Sequence, residues 1–183
     1  MLENSFDIEK AKAAVLLIAT NTDNPTLHKI FKILYFAEKK HLAKYGRPIL
    51  KDRYIAMNYG PVPSEIFDFF DTIRGKRVFE ERAESFYNAF DVYGEKQYNI
   101  KAKEQPNLDH LSKSDTECLF ESIEENNLLG FKDLTEKSHD LAWNNADRDN
   151  EIDFVYMARD AGASDGMIEY IKETLELRNF CFA

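Results

Sequence analysis

Apolar residues recur every three or four positions over most of the chain, which is the spacing of one face of an α-helix. A first helix is predicted over residues 7–20, where Asp7 or Ser5 is available to cap its start. The later helices predicted from the same pattern lie near residues 114–128, 131–144, 150–161 and 164–178. The pattern therefore predicts a mainly α-helical protein.

A second helix is predicted between Asn24 and Tyr45. Asn24 before Pro25 indicates its start, and Gly46 is placed to end it. Apolar residues cover most of the circumference of this helix instead of a single face. We therefore expect it to be a central, buried helix that the rest of the chain surrounds.

A different pattern occupies residues 53–59, where β-forming side chains alternate as they do in a short strand. The next four residues, 60–63, contain one glycine and two prolines, which restrict the backbone. We interpret them as a rigid connector from the strand to a third helix over residues 63–74. Glu65 lies in the first turn of that helix, where a carboxylate is favoured, and Gly75 is placed to end it.

The middle of the chain predicts a second β element. Residues 91–102 alternate around Gly94 as a hairpin does, and we expect this hairpin and the strand over residues 53–59 to form one small antiparallel sheet. Ser114 followed by Glu117 has the spacing of a capping box at a helix start. The predicted fold class is mainly α, formally α+β: a compact helical domain around a central buried helix, with a small antiparallel sheet or hairpin.

The composition predicts one domain over residues 1–183. A 44% hydrophobic share is enough for a single core, and 183 residues are too few for two comfortable domains. No apolar run is long enough to cross a bilayer, and the amino terminus does not resemble a signal peptide, so we expect a cytoplasmic protein without membrane contact. Cys118 and Cys181 are expected to be free thiols, since a disulfide is unusual in that compartment.

Charge is unevenly distributed along the chain. Residues 1–100 hold 15 Lys/Arg and 14 Asp/Glu, whereas residues 101–183 hold 9 Lys/Arg and 19 Asp/Glu, a net charge of −10. Such a segment repels phosphate and attracts basic partners, so nucleic acid is not the expected ligand, although a solvated acidic face is the simpler reading. A small basic cluster, interpreted as the polar end of a helix, comprises Lys39, Lys40, His41, Lys44, Arg47, Lys51 and Arg53.

The sequence carries no catalytic, nucleotide-binding or metal-binding motif. Its four histidines lie far apart, without the spacing of metal ligands, so we predict no metal, no cofactor and no enzyme activity. A Cys118 nucleophile with His139 as its base is conceivable, but the helical pattern around Cys118 favours a small core residue. His139 and Trp143 are predicted to share a helix face, with a histidine nitrogen bonded to a backbone carbonyl.

Residues 32–68 contain four short motifs in close succession. They are LYFA, YGRPI, D-x-Y and YGPVP-x-E, and the segment SHDLAW follows at residues 138–143. This series resembles the Panacea domain of SocA-like antitoxins, and the likeness extends to about residue 145. The resemblance implies a bacterial, phage or prophage-associated toxin–antitoxin system in which this domain neutralises a protein toxin encoded nearby. It also implies a variant in which the antitoxin delivers its toxin to a cytoplasmic protease.

The connector has two readings. It is a structural joint, or it is a recognition surface, because a rigid loop with aromatic neighbours loses little entropy when it binds. In the second reading the predicted partner-binding residues are Arg53, Tyr54, Tyr59, Gly60, Pro61, Pro63 and Glu65. The remaining alternative to an antitoxin is a small enzyme or a nucleic-acid-directed factor that uses the basic cluster and the histidines.

Overall fold

The computed structural model describes residues 6–181, with side chains to residue 175. Helices dominate this part of the chain, and two short antiparallel sheets accompany them, which confirms the predicted fold class. The helices are α1 Ile8–Thr20, α2 Leu27–Tyr45, α3 Ser64–Ile73, α4 Glu84–Ala89, α5 Lys113–Asn126, α6 Phe131–Ser138, α7 Leu141–Asn145, α8 Phe154–Asp160 and α9 Asp165–Cys181. The strands are β1 Tyr54–Met57, β2 Gly60–Pro63, β3 Phe90–Tyr93 and β4 Asn99–Ala102. None of the described helices is both long and apolar enough to cross a bilayer.

Helix α2 is the centre of the fold, as predicted. It packs against α1, α5, α6, α8 and β2, and most of its side chains are buried. Its start lies after the predicted one, because Asn24 has a positive φ of 49° and Thr26 is the residue that caps the helix, accepting from the N–H of Lys29 at 3.2 Å. Gly46 ends the helix with a φ of 68°, as its position in the sequence predicted.

The predicted connector is itself a β-strand, which leads directly into α3. Strand β2 pairs with β1 across the two-residue turn Asn58–Tyr59, with Met57 opposite Gly60. The N–H of Ser64 donates to the carbonyl of Arg53, and pairing alternates along the hairpin, so residues 61 and 63 fall at positions where the N–H points away from β1. The two prolines therefore remove no hydrogen bond from the β1–β2 pair.

The two hairpins do not form one sheet, which corrects the prediction that they would. The outer edge of β1 is already occupied by residues 149–152: Ala56 donates to Asn150 at 2.9 Å, and Ile152 donates to Tyr54 at 2.8 Å. Strands β3 and β4 form their own sheet, with Gly94 in the turn as predicted, and β4 is tied to the start of α2 by the bond from Ile100 to Pro25.

The start of α5 lies two residues before the predicted capping box. Ser112 and Asp115 form the box, with bonds of 3.2 Å from the N–H of Asp115 to Ser112 Oγ and 2.9 Å from the N–H of Ser112 to Asp115 Oδ2. Ser114, the predicted cap, instead lies 3.0 Å from Nε2 of the buried His41.

The predicted helix over residues 131–144 is divided into α6 and α7. His139 ends α6, and Asp140 caps α7 by accepting from the N–H of Trp143 at 3.0 Å. The same carboxylate accepts from Lys39 Nζ at 2.5 Å. This contact joins residues 101 positions apart, so a local pattern cannot report it.

Candidate functional site

The β1–β2 hairpin carries most of the predicted partner-binding residues, but only some of them reach the surface. Tyr59 lies in the turn with 63% of its area exposed, Arg53 is exposed and Glu65 is partly exposed. Tyr54 is fully buried, so its predicted role as an anchor for a partner is wrong in this fold. The other predicted residues that lie in the interior are Gly60, Pro61 and Pro63.

The buried residues of β2 attach the hairpin to α2. Lys32 is 1% exposed, and its Nζ donates to the carbonyl of Pro61 at 2.7 Å. Gly60 has a φ of +93°, and a Cβ placed on it would lie 2.2 Å from Ser138 Oγ and 2.9 Å from Lys32 Cε. Glycine at this position therefore allows both the turn and the close contact with α2 and α6. Burial lowers the pKa of Lys32 to about 7.

The distal SHDLAW segment contacts the same hairpin. The indole Nε1 of Trp143 donates to the carbonyl of Met57 at 3.1 Å, and the ring of His139 stacks on the indole with centroids 3.8 Å apart. The two residues are therefore adjacent, although His139 ends α6 and Trp143 lies in α7. Nε2 of His139 is buried without a hydrogen-bond partner among the described residues, so the predicted bond to a carbonyl is wrong for that nitrogen.

A groove of about 860 Å³ lies beside the hairpin, in the size range of ligand-binding pockets. Its apolar walls come from α2, β2, α3 and α6, and they include Phe31, Val62, Phe67 and Leu134. Exposed aromatic rings border it: Tyr59 and Phe131 meet edge to face with centroids 5.4 Å apart, and Tyr98 also lines the groove. Tyr59 was predicted from the sequence, but the groove was not, since the residues of its walls lie far from one another in the chain.

The groove is positively charged although the protein carries a net charge of −9. Its lining contains two carboxylates, those of Asp71 and Asp149, and Asp71 is already bound to Arg74. The basic lining residues are Lys29, Lys32, Arg74, Lys76 and Lys96, and of these the buried Lys32 has a pKa lowered to about 7. His28 also lines the groove, but burial lowers its pKa to about 4, so the ring is neutral near pH 7.

The basic cluster seen in the sequence is largely occupied by ion pairs to the acidic second half of the chain. Lys40 lies 2.7 Å from Glu125, and Lys44 lies 2.7 Å from Glu121, so these pairs connect α2 to α5. Lys39 bridges Asp140 and Asp160 on α7 and α8. These three lysines are therefore not available to bind phosphate, which weakens the nucleic-acid alternative.

Asp115 is the buried centre of a second ionic group. Lys10 lies 2.8 Å from its carboxylate, His41 Nε2 lies at 3.1 Å and Arg47 at 3.3 Å. Burial alone would raise the pKa of Asp115, but the hydrogen bonds from His41, Lys10 and Ser112 hold that pKa well below its usual range. This group fastens α1 and α2 to the start of α5.

The residues considered for catalysis do not form an activated pair. Burial raises the pKa of Cys118 to about 11, which is opposite to the shift that activates a thiol nucleophile. Nε2 of His139 has no hydrogen-bond partner among the described residues, so it makes no hydrogen bond to Cys118. Within residues 6–175, no group of three or more His, Cys, Asp or Glu side chains is placed to hold a metal ion. Cys181 was also predicted to be a free thiol, but its side chain lies outside the part of the chain whose side chains are described.

The fold and the groove define a class of protein: a small, mainly α domain built on one buried helix, with a β-hairpin and an aromatic groove at its side. The model of the SocA-like antitoxin family, Panacea domain, matches residues 30–144, and the chain belongs to this family. The match confirms the resemblance seen in the sequence motifs and includes α2, the β1–β2 hairpin and α6. No curated protein and no solved structure matches the chain.

Proposed function

We propose that this protein is an antitoxin that neutralises a cognate protein toxin in the cytoplasm by binding it directly. Family membership supports the antitoxin role. The observation that supports direct binding is the exposed Tyr59 beside Phe131, at the border of an apolar groove. Exposed tyrosines at the border of an apolar groove are common anchors of protein-interaction sites.

The hairpin is well suited to present Tyr59 to a partner. Both edges of β1 are hydrogen-bonded, and β2 is anchored to α2 through Lys32 and Pro61. A tyrosine on such a fixed turn buries a large area and loses little conformational freedom when it binds. Arg53 and Glu65, the predicted polar contacts, lie at the end of the hairpin opposite Tyr59, and Glu65 is paired with Arg82 at 3.1 Å.

A Tyr59→Ala substitution tests this proposal. The toxin is the product of the neighbouring gene, co-expressed with the antitoxin and then purified for binding kinetics. We expect the variant to bind roughly thirtyfold more weakly, mainly through a faster off-rate, as truncation of an aromatic hot spot does. Rescue of growth from the toxin should weaken in parallel.

Tyr93→Ala is the matched control, because Tyr93 is 53% exposed but lies on β3, outside the groove lining. It should retain wild-type affinity. Equal losses in both variants would contradict a specific role of Tyr59. Failure of the folded wild-type protein to bind or rescue its neighbouring toxin would contradict the proposed function itself.

A further inference from the structure

We infer that the groove beside the hairpin receives an apolar segment of the toxin that carries carboxylates. This inference rests on the proposed function and adds the chemistry of the contact. The acidic second half of the chain suggested a basic partner, whereas this inference predicts an acidic partner segment.

Charge complementarity favours a partner segment that carries carboxylates. Apart from the buried Lys32, four cationic side chains and two carboxylates line the groove, and one of those carboxylates is neutralised by Arg74. Lys76 and Lys96 are exposed and make no ion pair within residues 6–175, so they are available to a partner. Carboxylates flanking an apolar anchor complement this arrangement, whereas a basic segment would meet repulsion.

The second argument is the extent of the apolar surface. Leu128, which is 88% exposed, lies between α5 and α6 beside the groove-lining Leu129, and Phe131, which is 55% exposed, lies at the border of the groove. A small molecule is mostly enclosed by its pocket and would leave these side chains in water. A protein segment extending from the groove covers them.

A nucleic acid also binds surfaces that combine cations with aromatic rings, but the charge next to the groove argues against it. Residues 149–152, within the acidic stretch 147–153, run along β1, and Asp149 itself lines the groove. Carboxylates at this border repel a phosphate backbone, but they leave room for a peptide whose acidic residues lie on the Lys76 and Lys96 side.

The test is a double charge reversal, Lys76→Glu with Lys96→Glu, measured against the purified toxin from the neighbouring gene. We expect roughly tenfold weaker binding, mainly through slower association, and a smaller dependence of association on salt. Lys113→Glu is the matched control, because Lys113 is an exposed lysine at the start of α5 outside the groove lining, and it should change affinity less than about twofold. Circular dichroism confirms that each variant is folded.

The sign of the effect decides the inference. Tighter binding by the double variant would mean that the segment is basic, and unchanged binding would mean that the groove is not used. Either result overturns the inference while wild-type binding to the toxin still supports the proposed function. Tight, groove-dependent binding of single-stranded DNA or RNA would overturn it as well.

A second arm does not require the toxin. A random peptide library displayed on phage is selected on the wild-type protein and counter-selected on the double variant. We expect enrichment of peptides with Asp or Glu beside aromatic residues or leucine. Enrichment of basic peptides, or of none that depend on the groove, would overturn the inference. If the toxin fails to bind, the proposed function fails, and the peptide selection alone decides the chemistry of the groove.

Discussion

Glu38 shows how a buried charge is accommodated at the level of one residue. Its side chain is fully buried in α2, and its two carboxylate oxygens accept from the N–H groups of Ile49 at 2.6 Å and Leu50 at 2.8 Å. These bonds hold the turn that follows α2 against the helix. Burial nevertheless raises the pKa of Glu38 to about 8, because desolvation outweighs the two hydrogen bonds.

This pKa predicts a pH-dependent stability. Between about pH 4.5 and 8 the folded protein keeps the proton on Glu38 while the unfolded chain has lost it, so the free energy of unfolding contributed by this residue falls as pH rises. We expect the wild-type protein to lose stability relative to Glu38→Gln over this range, by at most about 1.4 kcal/mol per pH unit. Urea unfolding of both proteins between pH 5 and 8 measures the difference. A difference that stays constant or increases with pH would contradict the prediction.

At the level of elements, the sequence predicted what depends on local pattern. Periodicity located α1 and α2, and Gly46 and Gly94 marked real turns. Strand β2 was missed because prolines normally argue against a strand, and they fit here only because they occupy alternate positions. The division of α6 from α7 was missed although Asp140 is a local cap that accepts from the N–H of Trp143; only its contact with Lys39 is distant in the chain.

The cap of α3 is another feature that local sequence did not reveal. Asp52 precedes the hairpin, yet its carboxylate accepts from the N–H groups of Glu65 at 2.9 Å and Ile66 at 3.1 Å, at the start of the helix. The chain between Asp52 and the helix is the β1–β2 hairpin, so this one side chain closes the hairpin onto α3. Burial raises its pKa to about 6.

We expect Asp52→Ala to lower the free energy of unfolding by about 2 kcal/mol or more, because it removes two bonds and leaves a buried N–H unsatisfied. Asp153→Ala is the control: Asp153 is an exposed cap that accepts from the N–H of Val155 at 2.7 Å, and its loss should cost about 1 kcal/mol. Urea unfolding at pH 7.5 measures both variants. Equal losses would show that Asp52 acts as an ordinary surface cap.

At the scale of the whole molecule, the unequal charges of the two halves partly serve to hold the halves together through ion pairs. Five of the 19 carboxylates beyond residue 100 pair with cations of α1 and α2: Asp115, Glu121, Glu125, Asp140 and Asp160. Net charge along the sequence therefore does not identify the binding surface. The groove, assembled from segments between residues 26 and 149, carries the opposite sign and was not readable from any one segment.

A binding mechanism predicts that neutralisation is stoichiometric. Each antitoxin covers one set of toxin contacts and is then occupied, so a tenth of a molar equivalent should block about a tenth of the toxin. Calorimetric titration should show a fixed molar ratio, and toxin re-isolated from the mixture should have an unchanged mass. Expression of the two proteins at graded ratios should restore growth only once the antitoxin reaches that ratio.

The same experiment separates the three classes of function that the sequence left open. An enzyme would alter nearly all of the toxin at a tenth of a molar equivalent, and the change would appear in the mass of the toxin. A protease adaptor would bind the toxin but restore growth only in cells that contain the protease, with loss of the toxin itself. Because Cys118 is buried with a raised pKa, we expect no enzyme-like change in the toxin, and Cys118→Ala should neutralise the toxin as the wild type does. Direct neutralisation predicts that growth is also restored in cells that lack the protease.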